Sequence, residues 1–323
     1  MVLTKPIQEN LCHPDEYHFP GCECPPYCIF PDSSHPQIIV TFVGSPPDGD
    51  DGDPFIIPLN TVHGDPLGHR PPKPTHNGHE WDSTLTFTIE VDTNGRAVPS
   101  VRLRLAIDAA DSGGAGSDSL FGHFHYSGTT PKPKGSLSPD SIVTTDSATG
   151  KATVTYTPGQ YSEPIHLVIS SPAFDTTAKT HWTVGVPDLD HMSGSHVDLV
   201  GEDTPLGSRH PHSHYVISTM IPTLDSLADY WLGEYGNLQI NDMSLRYGGK
   251  FDLDTLWRSD PPGLHTCKIH CEHRLGRSAD INGLSVSDTV PYHKLVHWWH
   301  HHGAGLFDFP EGGKAHLRDW RTQ

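Results

Sequence analysis

The chain has 323 residues and a formal net charge of −18, and its 25 histidines outnumber its 21 lysines and arginines. So acidic a surface repels nucleic-acid phosphates and anionic membrane faces, so no nucleic-acid partner is expected. The length exceeds what one core usually fills and predicts two domains, or two and a tail, and no apolar run approaches the roughly 18 residues of a membrane span.

Residues 1–80 read as an irregular Cys/Pro-rich segment. Cys12, Cys22, Cys24 and Cys28 crowd among prolines, followed by Pro46-Pro47, an acidic run from Asp48 to Asp53, and Pro71-Pro72. Prolines at that density break long regular elements. The other two cysteines are Cys267 and Cys271. An even number in two clusters suits disulfides and an oxidising compartment, with a small metal clip as the alternative. His63, His69, His76 and His79 are expected to be solvated loop residues. Met1 to Leu11 lacks the apolar core of a signal peptide.

Residues 81–187 change to period two. Leu85, Phe87, Ile89 and Val91 alternate with polar residues, as do Val101, Leu103, Leu105 and Ile107. Ala152, Val154 and Tyr156 repeat the pattern, followed by the runs Ile165–Ile169 and His181–Val186, with turn residues such as Thr93-Asn94-Gly95 between runs. Short alternating strands over about a hundred residues predict an all-β antiparallel sandwich. The stretch resembles the immunoglobulin-like modules of bacterial surface proteins, which implies a spacer or surface-targeting role. His123 and His125 share one face of a strand here, either as a two-imidazole chelate or as exposed residues flanking an inward Phe124.

Residues 190–323 mix periodicities and predict an α+β domain. Leu224, Leu227, Ala228 and Trp231 form a helical stripe with Thr223 available as its cap. A strand over Leu238 to Met243, a helix from Ser287-Asp288 to Gly303 and a last strand over Ala315 to Trp320 complete the domain. Between the first strand and the second helix lies His273-Arg274-Leu275-Gly276-Arg277-Ser278-Ala279-Asp280. Imidazole and carboxylate are zinc ligands, and a catalytic zinc takes three protein ligands and leaves a fourth position to water. Gly276 allows the left-handed turn needed between His273 and Asp280.

This His, Gly and Asp spacing resembles the metallopeptidase group of D-Ala-D-Ala carboxypeptidases, penicillin-insensitive murein endopeptidases and the hedgehog signalling domain. Asp242-Met243-Ser244 followed by Gly248-Gly249, and the closing Ala315-His316-Leu317-Arg318, are similar to the segments flanking the motif in murein endopeptidases. The resemblance spans Leu224 to Trp320, about the last third of the chain. It implies Zn²⁺ held by His273, Asp280 and His316, with a peptide or cell-wall substrate outside the cell or in the periplasm. Glu311 is the best-placed proton carrier in sequence, although it stands five residues before His316 where the group uses a Glu three residues before, or a His nearby; Asp308 is second.

The expectation is therefore a zinc-dependent peptidase acting on peptidoglycan cross-links or a short D-amino-acid-containing peptide. The alternative is a non-catalytic zinc-containing surface binding or adhesion protein whose peptidase-like domain has degenerated. Four other features compete for metal or substrate. His293, His297 and His301 recur every four residues on one helix face, without the Glu of a His-Glu-x-x-His site. Trp298 and Trp299 offer a sugar-stacking wall, or else part of a half-buried helix. His210, His212 and His214 form a third cluster, and His270 with the two later cysteines a fourth, where a disulfide is the simpler reading. Oligomeric state stays open.

Overall fold

The fold is that of a computed structural model. It describes residues 36–43, 55, 56, 58, 75, 76, 79, 80, 83–108, 135–186, 188–200, 213–249, 272–285, 289–302, 307, 308 and 314–318.

Two facing sheets form the sandwich. In the first, strand Gln37–Phe42 pairs with Leu85–Thr93, which pairs with Lys151–Thr157, which pairs with Ser136–Ser138, all antiparallel. In the second, the order is Phe55–Ile56, Thr176–Val184, Glu163–Ser171, Arg102–Asp108 and Ile142–Thr144. Leaving aside the short edge strands Phe55–Ile56 and Ile142–Thr144 of the second sheet, the arrangement is that of the ABED and GFC sheets of an immunoglobulin-like sandwich. The alternating apolar residues are the inward ones: Phe87, Ile89, Val91, Val154, Ile165, Leu167 and Ile169 are all fully buried.

Trp182 joins the two layers, its ring centroid 6.0 Å from that of Phe87 and 4.9 Å from that of Tyr156 on the opposite sheet. Burial and the neighbouring Glu163 carboxylate both push the Tyr156 phenol strongly up. Trp182→Ala is expected to cost about 3–5 kcal/mol in denaturant unfolding, the usual toll of an emptied aromatic site.

The first strand corrects the reading of 1–80 as irregular throughout. Ile38, Ile39, Val40 and Phe42 sit between prolines, but a six-residue run needs no more than its own β-branched residues and an open sheet edge. Thr75–His76 and His79–Glu80 also pair, placing His76 opposite His79. No immunoglobulin-type disulfide can be assigned, because all six cysteines lie outside the described residues.

The second domain has its own core. Its sheet runs Val197–Leu199, Leu238–Ile240, Ser278–Ser285, Lys314–Arg318 and Phe307–Asp308, parallel at the first pair and antiparallel after it. Helices α1 (Ile221–Tyr235) and α2 (Thr289–His301) contribute Leu224, Leu227, Ala228, Trp231, Leu295, Trp298 and Trp299 to a core shared with Ala279, Ile281 and Leu317 of the sheet. The predicted stripe on α1 is buried, but the helix starts at Ile221 rather than after Thr223, because Pro222 suits the first turn, where its missing N–H costs nothing. Trp298 and Trp299 are buried core residues, which removes the sugar-stacking wall. Among the described residues no helix is long and apolar enough to cross a membrane.

Candidate metal centre

His273 lies in a 3-10 turn, Glu272–Leu275, that enters strand Ser278–Ser285 through Gly276. Gly276 has φ +67, so its left-handed dihedral favours glycine, while a Cβ there would meet only the movable end of the Leu189 side chain at close range. Its N–H donates to the His273 carbonyl at 3.0 Å and its carbonyl accepts from Ile217 N–H at 2.9 Å. The turn folds the buried His273 ring back over the strand. There His273 Nε2 lies 3.5 Å from Asp280 Oδ1.

At 3.5 Å the two atoms are within ion-pair range, which extends to about 4 Å, and also near the spacing of two ligands on one metal. A charge-assisted hydrogen bond closes to about 2.7–2.9 Å. Two donors on one tetrahedral zinc, each at about 2.0–2.2 Å, stand roughly 3.4 Å apart. The His273 and Asp280 donor atoms thus have the spacing of neighbouring ligands. The other ring nitrogen, Nδ1, is 3.1 Å from the hydroxyl of buried Ser278, a partner that orients the ring and leaves Nε2 toward Asp280. Nitrogen and oxygen donors of this kind fit zinc.

His316 occupies the register position opposite Asp280, and Asp308 the position opposite His316 on the edge strand. Three strands therefore bring Asp280, His316 and Asp308 into one row, although 28 and 36 positions separate Asp308 and His316 from Asp280 in the chain. Glu311 lies outside the described residues. So do His123, His125, His210, His212, His265 and His270.

The flanking segments converge on the same place. Asp280 N–H donates to the Asp242 carbonyl at 2.8 Å and the Asp280 carbonyl accepts from Asn241 N–H at 2.9 Å, so Asp242-Met243-Ser244 runs beside the Asp280 strand. The Asp242 carboxylate itself accepts from Asn241 Nδ2 at 2.7 Å and Ser213 Oγ at 3.4 Å, a structural use. Gly249 N–H donates to the carbonyl of Arg274, the residue after His273, at 3.0 Å.

Gly248 and Gly249 both have positive φ, +64 and +77. A Cβ on Gly248 would run into the Arg274 carbonyl oxygen and stand 2.6 Å from Val186 Cγ2. The sandwich braces this loop as well, for Val186 N–H donates to the Tyr247 carbonyl at 2.8 Å and the Ser162 hydroxyl to the Gly248 carbonyl at 2.9 Å. Gly248→Ala is expected to destabilise the protein by about 2–4 kcal/mol, combining left-handed strain with overpacking, as read by urea unfolding.

Sequence reading missed Ser278. The signal was present in the alternation it did use, since Ser278 and Asp280 are two apart on one strand and so share a face. Among the other clusters, His293, His297 and His301 are all exposed on α2, with the rings of the last two stacked 5.9 Å apart. His214 is fully buried, its ring 6.5 Å from that of His191.

The sequence matches no family model and no curated protein. Solved structures similar to it include bacterial adhesin domains. The D00–D0 domain of intimin is 17% identical, covering 31% of this chain and 38% of that one, with a TM-score of 0.21. The D0–D1 domain of intimin is 12% identical, covering 48% of this chain and 51% of that one, with a TM-score of 0.26. The Yersinia pseudotuberculosis adhesin InvE is 11% identical over 48% of this chain, with a TM-score of 0.26. The chain thus spans from about a third to half the length of these neighbours.

Proposed function

We propose that the second domain is a zinc-dependent peptidase, with His273, Asp280 and His316 as ligands and a peptide of the cell wall, or another short D-amino-acid-containing peptide, as substrate. The observation that carries this reading is the 3.5 Å approach of His273 Nε2 to Asp280 Oδ1, compatible with two ligands of one zinc, on strands whose register sets His316 opposite. Bound zinc would polarise the scissile carbonyl and make water a nucleophile near neutral pH.

The chain's own residues do the rest. Ser278 holds the His273 ring, the Asp242 segment holds the Asp280 backbone, and Glu311 takes a proton from the attacking water and returns it to the leaving amine. An acidic protein with a sandwich braced against such a site belongs, in this reading, on or outside the cell surface.

The test is hydrolysis of purified peptidoglycan fragments by the full chain. Activity should disappear after exhaustive dialysis against a chelator and return with one equivalent of Zn²⁺. Zinc bound at one equivalent with no hydrolysis of any fragment would instead make the domain a zinc-containing binding module.

A further inference from the structure

We infer that Ser162, at the entrance of the sandwich strand Glu163–Ser171, is a positioning residue for the turn that carries His273, acting through the peptide bond between Gly248 and Gly249. Its consequence for zinc rests on the metal centre proposed above; its substance is backbone geometry.

The two polar groups of that peptide bond are gripped from opposite sides. Its carbonyl, on Gly248, accepts from the Ser162 hydroxyl at 2.9 Å. Its N–H, on Gly249, donates to the Arg274 carbonyl at 3.0 Å. A trans peptide is planar, with C=O and N–H pointing in opposite directions, so fixing one group aims the other. A hydroxyl of the sandwich therefore directs a bond that ends one residue from His273. Ser162, Gly248 and Gly249 are all buried, and Tyr161 and Gly249 form an antiparallel bridge beside them. Hydrogen bonds in series in such a low-dielectric interior polarise one another, so hydroxyl, peptide and Arg274 carbonyl act as one chain.

The peptide needs a lock of this kind. Gly248 and Gly249 have φ of +64 and +77. Glycine takes either sign of φ at little cost, so a peptide plane between two glycines turns easily. Turning it would carry the carbonyl away from Ser162 and the N–H away from Arg274 together. The Ser162 hydroxyl selects one orientation, and a buried carbonyl left without its donor would keep the full cost of desolvation.

The turn is pinned at three backbone points. Gly276 N–H closes it onto the His273 carbonyl at 3.0 Å, Ile217 N–H donates to the Gly276 carbonyl at 2.9 Å, and Gly249 N–H holds the Arg274 carbonyl. The last of these leads back to the sandwich. Releasing it loosens the backbone directly behind His273, and a ligand is placed only as well as the shell that supports it. The sandwich thereby becomes part of the support of the metal centre.

The experiment compares the full chain with Ser162→Ala and with Ile169→Val, a fully buried substitution toward the far end of the same strand. It reads Zn²⁺ affinity against a competing chelator, and hydrogen exchange of the Gly249 amide by NMR. The Asn241 amide, which donates to the Asp280 carbonyl, is the reference. Ser162→Ala should weaken zinc by about 10-fold, the lower end of what partners supporting a metal ligand contribute. It should also speed exchange at Gly249 while leaving Asn241 as in the parent. Ile169→Val should lower stability and leave both readings unchanged. Parent-like zinc affinity in folded Ser162→Ala, or unchanged exchange at Gly249, would overturn the inference. Equal weakening of zinc in Ile169→Val would overturn it too, by making the effect one of general stability. If the parent itself binds no zinc, the metal reading falls and the Gly249 amide alone decides: selective loss of protection in Ser162→Ala keeps the positioning role, and unchanged protection removes it.

Discussion

Glu311→Gln should slow peptide hydrolysis by about 10² or more while leaving the bound zinc in place, because proton transfer by a positioned side chain usually contributes 10²–10⁴. The glutamine keeps the size of the side chain and its carbonyl acceptor but cannot carry a proton from water to amine. The loss should fall on kcat rather than KM, since the missing interaction exists only while the bond is breaking. Asp308 is the competing carrier, at the register position facing His316. If Glu311→Gln turns over like the parent and Asp308→Asn does not, the proton route belongs to Asp308.

The second large effect is on the metal. In the proposed ligand set His273→Ala and Asp280→Ala would each remove one of three donors, and each should reduce zinc content to a small fraction of the parent's. Ser278→Ala should be intermediate, about 10–100-fold weaker in zinc affinity, because it frees the ring without removing a ligand. That gradation separates a ligand set from an ordinary buried polar cluster. In such a cluster Ser278→Ala would affect stability and leave metal binding untouched.

Much of the architecture could be read from alternation alone. Leu85, Phe87, Ile89 and Val91 announced a half-buried strand and are its inward face, because a period of two admits one core side. Gln37–Phe42 was lost among prolines that disfavour long elements, and its partner Leu85–Thr93 lies more than forty residues on, beyond any local pattern. The start of α1 moved three residues because proline, a breaker in a helix interior, is favoured at its entrance.

The candidate site was readable as far as residue type and spacing carry. Gly276 was expected from the turn it must make, and its φ of +67 is that turn. Cross-strand facts were out of reach: no local pattern reveals that Asp280 faces His316, or that Gly248 must lack a side chain because the Arg274 carbonyl comes so close. The indoles of α2 left two readings open for a related reason, since sequence shows that Trp298 and Trp299 are adjacent but not that the sheet lies beneath them.

The most direct test of the central claim is the zinc content of the purified full chain, measured by elemental analysis after dialysis against metal-free buffer, in the parent and in Asp280→Ala. A ligand set built on His273, Asp280 and His316 predicts one tightly held zinc in the parent that is absent from Asp280→Ala. Equal zinc in the two proteins would contradict it.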